Sequence, residues 1–132
     1  MPAFSEFSTL NLISCHSDLI TILSDLIEDF DFRVVCGHRG KEAQNAAFES
    51  GHSKKVWPES KHNSMPSIAV DIIPWPECYE DLDKFYLLAG RVLQIAYDKG
   101  IPLRWGGDWD MDDDLQDQTF QDQGHFELVT HD

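Results

Sequence analysis

An aspartate stands in the middle of an otherwise apolar run, Ile68-Ala69-Val70-Asp71-Ile72-Ile73, and it limits what the chain can become. The run is rich in β-branched residues and is closed by Pro74-Trp75-Pro76, which predicts a strand. Strand alternation puts Ala69, Asp71 and Ile73 on one face and Val70 and Ile72 on the other. A carboxylate inside such a strand is costly to bury without a partner. The fold must supply one, and a metal ion, an arginine or a backbone turn would each serve.

The rest of the chain arranges around that strand in an α+β pattern. Ser17-Asp18 can cap a helix with Leu19, Ile20, Ile22, Leu23, Leu26, Ile27 and Phe30 on its buried side. Phe32 to Cys36 reads as a strand ended by Gly37, and Lys41 to Ser50 as an Ala-rich helix stopped by Gly51. His52 to Ser67 is polar, contains Pro58 and Pro66, and reads as loop. Tyr79 to Lys99 is the longest predicted helix, followed by short strands at Leu103-Arg104-Trp105 and His125 to Val129. The expected fold is a small antiparallel sheet with helices packed on one side, leaving an open sheet face for a metal site. At 132 residues, without repeats or a low-complexity linker, residues 1–132 are expected to form a single domain.

Charge narrows the partners. The formal net charge of −14 leaves no basic face for phosphates and disfavours an anionic membrane surface. No apolar stretch approaches the ~20 residues of a membrane span. Met1-Pro2-Ala3-Phe4-Ser5-Glu6 has neither a basic n-region nor an apolar h-region, so synthesis in the cytosol without a signal peptide is expected. Cys15, Cys36 and Cys78 lack paired spacing and are expected to be free thiols, with Cys36 in the core. No heptad or second apolar helix face calls for a dimer, so a monomer is expected.

Chemistry concentrates where polar residues interrupt the core pattern. Ser60-Lys61-His62 lies in the loop before Asp71. In Gly124-His125-Phe126-Glu127-Leu128, His125 and Glu127 share one strand face and Phe126 and Leu128 the other. Asp122 lies three residues before His125, a spacing that can bring a carboxylate near a metal site without making it a ligand. Two imidazoles and one carboxylate are a standard ligand set for catalytic zinc. A nearby carboxylate can then move protons, and Arg39, just past a strand end, can reach an oxyanion. An ion-paired Asp71, a structural His125 and a surface Arg39 account for the same residues one at a time.

Taken together, Gly37-His38-Arg39, Ser60-Lys61-His62-Asn63, Ala69-Val70-Asp71-Ile72, Trp105-Gly106-Gly107-Asp108-Trp109 and Asp122-x-x-His125-Phe126-Glu127-Leu128 form a specific ordered set. The chain resembles the zinc D,D-carboxypeptidase and L-alanyl-D-glutamate endopeptidase family, which includes phage endolysins and vancomycin-resistance D,D-dipeptidases. The resemblance implies that His62, Asp71 and His125 bind Zn2+, that Asp122 is general base and acid, and that Arg39 steadies the carbonyl oxygen. The Gly-His-Phe-Glu-Leu ending is similar to the phage endopeptidases. It implies cleavage between L-alanine and D-glutamate in the peptidoglycan stem peptide, with no separate wall-binding domain and release through a phage holin. Eight residues separate His62 from Asp71, two more than the usual family spacing, and the insertion falls in a loop. Glu127 is a rival for the base. Asp122 is preferred on the motif, leaving Glu127 and Ser60 to support the ligands.

Asp108, Asp110, Asp112, Asp114 and Asp117 alternate like the oxygen ligands of a Ca2+ loop, although Asp113 stands where the usual glycine would be. A solvated acidic loop explains the same composition. Within the resemblance, a D,D-carboxypeptidase is the alternative enzyme, and a non-catalytic metal- or peptide-binding module the alternative outside catalysis.

Overall fold

The computed structural model describes residues 2–76, 81–108, 111 and 122–129. Its helices are α1 (Glu6–Leu12), α2 (Ser17–Leu26), α3 (Lys41–Glu49) and α4 (Leu82–Asp98), and its strands β1 (Phe32–Cys36), β2 (Ala69–Pro74), β3 (Leu103–Trp105) and β4 (His125–Leu128). A 3₁₀ turn, Lys61–Asn63, interrupts the long loop before β2. The four strands form one antiparallel sheet in the order β1-β2-β4-β3. Among the described residues no helix is long and apolar enough to cross a membrane.

One face of the sheet carries Val34, Val70, Ile72, Phe126 and Leu128 into the core. Against them pack Leu19, Ile22, Leu23 and Leu26 of α2 and Leu88, Ala89, Val92 and Ala96 of α4. The helical period of these residues and the period-2 alternation of β2 and β4 meet in a single apolar layer. Helices therefore cover one side of the sheet, and the other carries Asp71, His125 and Glu127 beside the buried Ala69 and Ile73.

The strands expected from alternation are all present, with ends shifted by a residue at most. The helices differ more: α2 stops at Leu26, short of Ile27 and Phe30, and α4 begins at Leu82 instead of Tyr79. The cap of α2 is His16 rather than Ser17-Asp18: its Nδ1 accepts from the Asp18 N–H at 3.0 Å. An additional helix, α1, precedes it. Too short to show a clear period, α1 is fixed by side chains that pair with the exposed backbone of β1. Ser8 Oγ accepts from the Val34 N–H at 3.0 Å, and Asn11 Nδ2 donates to the Val34 carbonyl at 2.9 Å. These bonds occupy groups that an edge strand would otherwise present to solvent.

The contact between α1 and the end of β1 leaves no room for a side chain at Gly37. A Cβ there would lie 2.2 Å from the Asn11 carbonyl oxygen and 2.4 Å from Ser14 Oγ. Gly37→Ala is expected to destabilise the fold by about 1–3 kcal/mol through overpacking, read as a lowered denaturant midpoint. An unchanged midpoint would show that α1 moves aside at no cost.

Candidate metal centre

Strand register assembles the centre on the open face. Cys36 pairs with Asp71 across β1 and β2, and Asp71 pairs with His125 across β2 and β4. Cys36, Asp71 and His125 thus form one cross-strand row. The next row is Ala69, Glu127 and Arg104. Opposed residues of neighbouring strands stand close enough for their side chains to interact, so a row of polar residues becomes a cluster.

Asp71 is the centre of that cluster. Its Oδ1 lies 2.9 Å from His125 Nδ1 and 3.3 Å from His62 Nε2. Its Oδ2 lies 3.5 Å from Arg39 Nη2. The two imidazole rings stand edge to face, with centroids 5.1 Å apart. Each ring has its outer nitrogen engaged by an acceptor. His62 Nδ1 donates to the Gly37 carbonyl at 2.8 Å, and His125 Nε2 donates to Glu127 Oε1 at 2.9 Å. With the proton of each neutral ring held on the outer side, both inner nitrogens direct lone pairs at the same carboxylate oxygen. That arrangement is repulsive unless two protons or a cation intervene. Outer hydrogen bonds that fix the tautomer and orientation of inward-facing imidazoles are also the usual surroundings of a metal-binding histidine. The donor set therefore fits Zn2+.

His62 is delivered by the 3₁₀ turn. Ser60 Oγ accepts from the His62 N–H at 3.2 Å, and Asn63 Oδ1 accepts from the Ser60 N–H at 2.9 Å, closing a capping box. The turn is tied to the end of β1, where the Arg39 N–H donates to the His62 carbonyl at 2.8 Å. The expected supporting residues, Ser60 and Glu127, thus touch the backbone of one imidazole residue and the ring of the other. Glu127 Oε2 also lies 3.7 Å from Arg104 Nη1.

Asp122 reaches the centre from the turn before β4. A ligand atom from each of Asp71, Asp122 and His125 lies within 4.8 Å of the others. Its backbone is pinned against β3: the Asp122 N–H donates to the Gly106 carbonyl at 2.9 Å, and a Cβ on Gly106 would lie 2.2 Å from the Asp122 carbonyl oxygen. Trp105 Nε1 donates to the Gln123 carbonyl at 2.8 Å, which makes this tryptophan an anchor for the turn. The Trp-Gly-Gly sequence thus sets the approach of Asp122.

The charges are tuned by burial and by one another. Burial alone would pull both histidines down, but the Asp71 hydrogen bond and charge push His62 up to about 10 and His125 up to about 9. Burial would raise Asp71, yet its hydrogen bonds to His125 and His62 hold it well below the ordinary carboxylate range. Asp122 moves the other way. Burial and the negative charge of Asp71 raise it, and the nearby histidines do not reverse the shift. Two carboxylates beside one another are thereby driven apart in acidity, one fixed as an anion and one made more basic.

Cys36 corrects the sequence reading. It is a free thiol, as is Cys15, but it is half-buried and faces the centre instead of the core. Its Sγ lies 3.8 Å from His62 Nδ1 and 3.5 Å from Arg39 Nη2. Burial would raise its pKa, but the His62 hydrogen bond and charge bring it below the ordinary value. Regular alternation through Phe32 and Val34 would put Cys36 on the core face. A bulge between Val34 and Cys36 brings it opposite Asp71. Ligand atoms of Cys36, His62 and Asp71 lie within 4.8 Å of one another, so this thiol joins the candidate metal donors. The sulfur sits on the Nδ1 side of His62, away from the Nε2 that faces Asp71.

Of the residues considered for Ca2+, Asp110, Asp112, Asp114 and Asp117 lie outside the described residues. Asp108 is buried, and its N–H donates to the Trp105 carbonyl at 3.0 Å. Cys78 also lies outside the described residues.

Comparisons with known proteins agree on one group. A family model described as phage L-alanyl-D-glutamate peptidase matches residues 2–129. The L-alanyl-D-glutamate peptidase of Escherichia phage T5 is 31% identical over 136 residues, covering 96% of this chain and 97% of that protein. The crystal structure of the Serratia marcescens L-Ala D-Glu endopeptidase ChiX matches with a TM-score of 0.75 and 27% identity, covering 96% of this chain and 89% of that one.

Proton release on metal binding tests the inward-facing pair. In chelator-treated protein the raised histidines are protonated at pH 7 and must lose those protons to offer lone pairs. Zinc binding near neutrality is expected to release about two protons, measured by calorimetry in buffers of different ionisation enthalpy. Release of none would contradict the arrangement. The same shifts set a sign for stability: their contribution to the chelator-treated protein is fully present below the unfolded histidine value of ~6.5. It is lost as pH rises through about 9 and about 10.

Proposed function

The chain belongs to the phage L-alanyl-D-glutamate peptidase family, and on that premise we propose its reaction and the part each side chain plays. It is a zinc-dependent peptidoglycan endopeptidase that hydrolyses the L-alanyl-D-glutamate bond of the stem peptide. The observation that carries this reading is the convergence of two imidazole nitrogens on one Asp71 oxygen beside a second, more basic carboxylate.

His62, Asp71 and His125 would hold the zinc ion, the two imidazoles through the nitrogens that face Asp71. When bound, zinc makes a water molecule more acidic and polarises the substrate carbonyl. Asp122 takes the proton of the attacking water and returns it to the departing amine of D-glutamate. Its raised pKa suits both transfers, because a base that is too weak would not accept the proton and one that is too strong would not release it. Arg39 supports negative charge on the carbonyl oxygen in the transition state. Glu127 is held anionic chiefly by its His125 hydrogen bond, against the pull of burial, and keeps the proton on the far side of that ring.

The family match over residues 2–129 and the near-complete coverage of both relatives support reading this stretch as one peptidase domain. The enzyme acts on the cell wall. Family membership supports synthesis in the host cytoplasm followed by holin-dependent release.

Asp122→Asn is expected to retain zinc and lose about 10²–10⁴-fold in hydrolysis rate. Metal content and digestion of purified peptidoglycan measure the two effects. Wild-type digestion should expose a new glutamate amine. Release of D-alanine would assign a D,D-carboxypeptidase instead, and no cleavage by zinc-loaded wild type would leave a binding module.

A further inference from the structure

We infer that Gln44 is a positioning residue that joins Arg39 to the His62 turn and sets how far the guanidinium stands from Asp71. The inference rests on the role assigned to Arg39 above.

Gln44 lies on α3, on no element that contributes a candidate ligand, and is 0% exposed. All of its hydrogen-bonding capacity is used. Oε1 accepts from Arg39 Nη1 at 3.0 Å and from Asn63 Nδ2 at 3.1 Å. Nε2 donates to Ser53 Oγ at 2.9 Å and to the Lys55 carbonyl at 2.6 Å. The amide cannot be turned over without facing its NH2 to two donors and its oxygen to a carbonyl, so its orientation is fixed by its neighbours. Asn63 Nδ2 also donates to the Arg39 carbonyl at 3.0 Å. Gln44, Asn63 and Arg39 thus close a ring of hydrogen bonds that includes both the side chain and the backbone of Arg39. Asn63 directly follows His62 and closes its capping box.

The ring has a consequence for the centre. A flexible arginine next to an anionic carboxylate tends to close into a short charge-assisted pair of about 2.7–2.9 Å. Here Arg39 Nη2 stops 3.5 Å from Asp71 Oδ2 while Nη1 is held by Gln44. The neutral amide shares the guanidinium with Asp71. It leaves the carboxylate less encumbered and the guanidinium pre-oriented beside it. A core position with no such duty would be filled more cheaply by an apolar side chain, because a buried amide is tolerated only when every bond is made.

The test uses the full chain loaded with zinc, in four variants: Gln44→Leu, Gln44→Glu, Arg39→Met and the Arg39→Met/Gln44→Leu double. Gln44→Leu should remain folded by circular dichroism and lose about 10–100-fold in kcat on a defined stem peptide. Its KM should change by less than about threefold, and its zinc affinity in chelator competition should weaken as the His62 turn loses an anchor. Gln44→Glu keeps an acceptor for Arg39 and Asn63 and, in its protonated form, a donor for the Lys55 carbonyl, and should recover at least about tenfold of that kcat. In the Arg39→Met background, adding Gln44→Leu should change kcat by less than about threefold, because the two residues act as one unit.

Additive losses in the double variant would overturn the inference. So would a Gln44→Leu protein with intact kcat and only a lowered Tm, or the failure of both Gln44 variants to fold. If zinc-loaded wild type does not cleave the L-alanyl-D-glutamate bond, the assigned reaction fails. Zinc affinities of the same four variants still report whether Gln44 and Arg39 act together on the His62 turn.

Discussion

One carboxylate organises this molecule. Asp71 is placed by β2 in the middle of the sheet, and its two oxygens divide the surrounding charges between them. One faces both imidazoles and the other faces Arg39. The supports of the rings and of the guanidinium follow that division. Gly37 and Glu127 hold the outer nitrogens of the rings, and Gln44 restrains the guanidinium. Arg104 faces Glu127 from the adjoining strand. A half-buried anion is costly in isolation, and the fold offsets that cost with converging donors instead of a single ion pair.

The sheet achieves this with little specialised architecture. Three antiparallel strands in register convert residues distant in sequence into a row, and alternation sends their neighbours into the core. Among the described residues, His62 and Asp122 reach the centre on turns, and Arg39 from the loop after β1. Each turn is fixed by backbone contacts to a strand, His62 through the end of β1 and Asp122 through the carbonyl of Gly106. The strong negative charge of the chain as a whole is thus compatible with a centre where positive groups gather around one anion.

Much of this was legible in the sequence, for a physical reason. Asp71, His125 and Glu127 stand out because a polar residue at a strand position flanked by core residues contradicts its context, and period 2 says which face it takes. The strands of the sheet and the helices α2, α3 and α4 follow from the same periodicities. What stayed hidden was set by tertiary contacts. Helix α1 depends on Ser8 and Asn11 finding the backbone of Val34, which no local pattern announces. Cys36 reads as core because it lies in an apolar run, whereas the bulge at the end of β1 brings it opposite Asp71. Gln44 falls in a segment that reads only as an Ala-rich helix. Its burial and four bonds depend on segments around residues 39, 53–55 and 63 folding back on α3. The order of the family motifs located Arg39 and Asp122, which periodicity alone left ambiguous.

The register of β2 against β4 also bears on how the protein comes to be active. Asp71 and His125 touch across a sequence separation of 54 residues, so no early local structure contains the centre. Contacts of that span are the slow ones to form, since a long loop must be closed before they contribute. An ion held between these strands clasps the middle of the chain to its far end. Its binding energy would be felt by the whole sheet, not by one loop. A nascent or partly unfolded chain would have no working centre, which ties activity to completion of the fold.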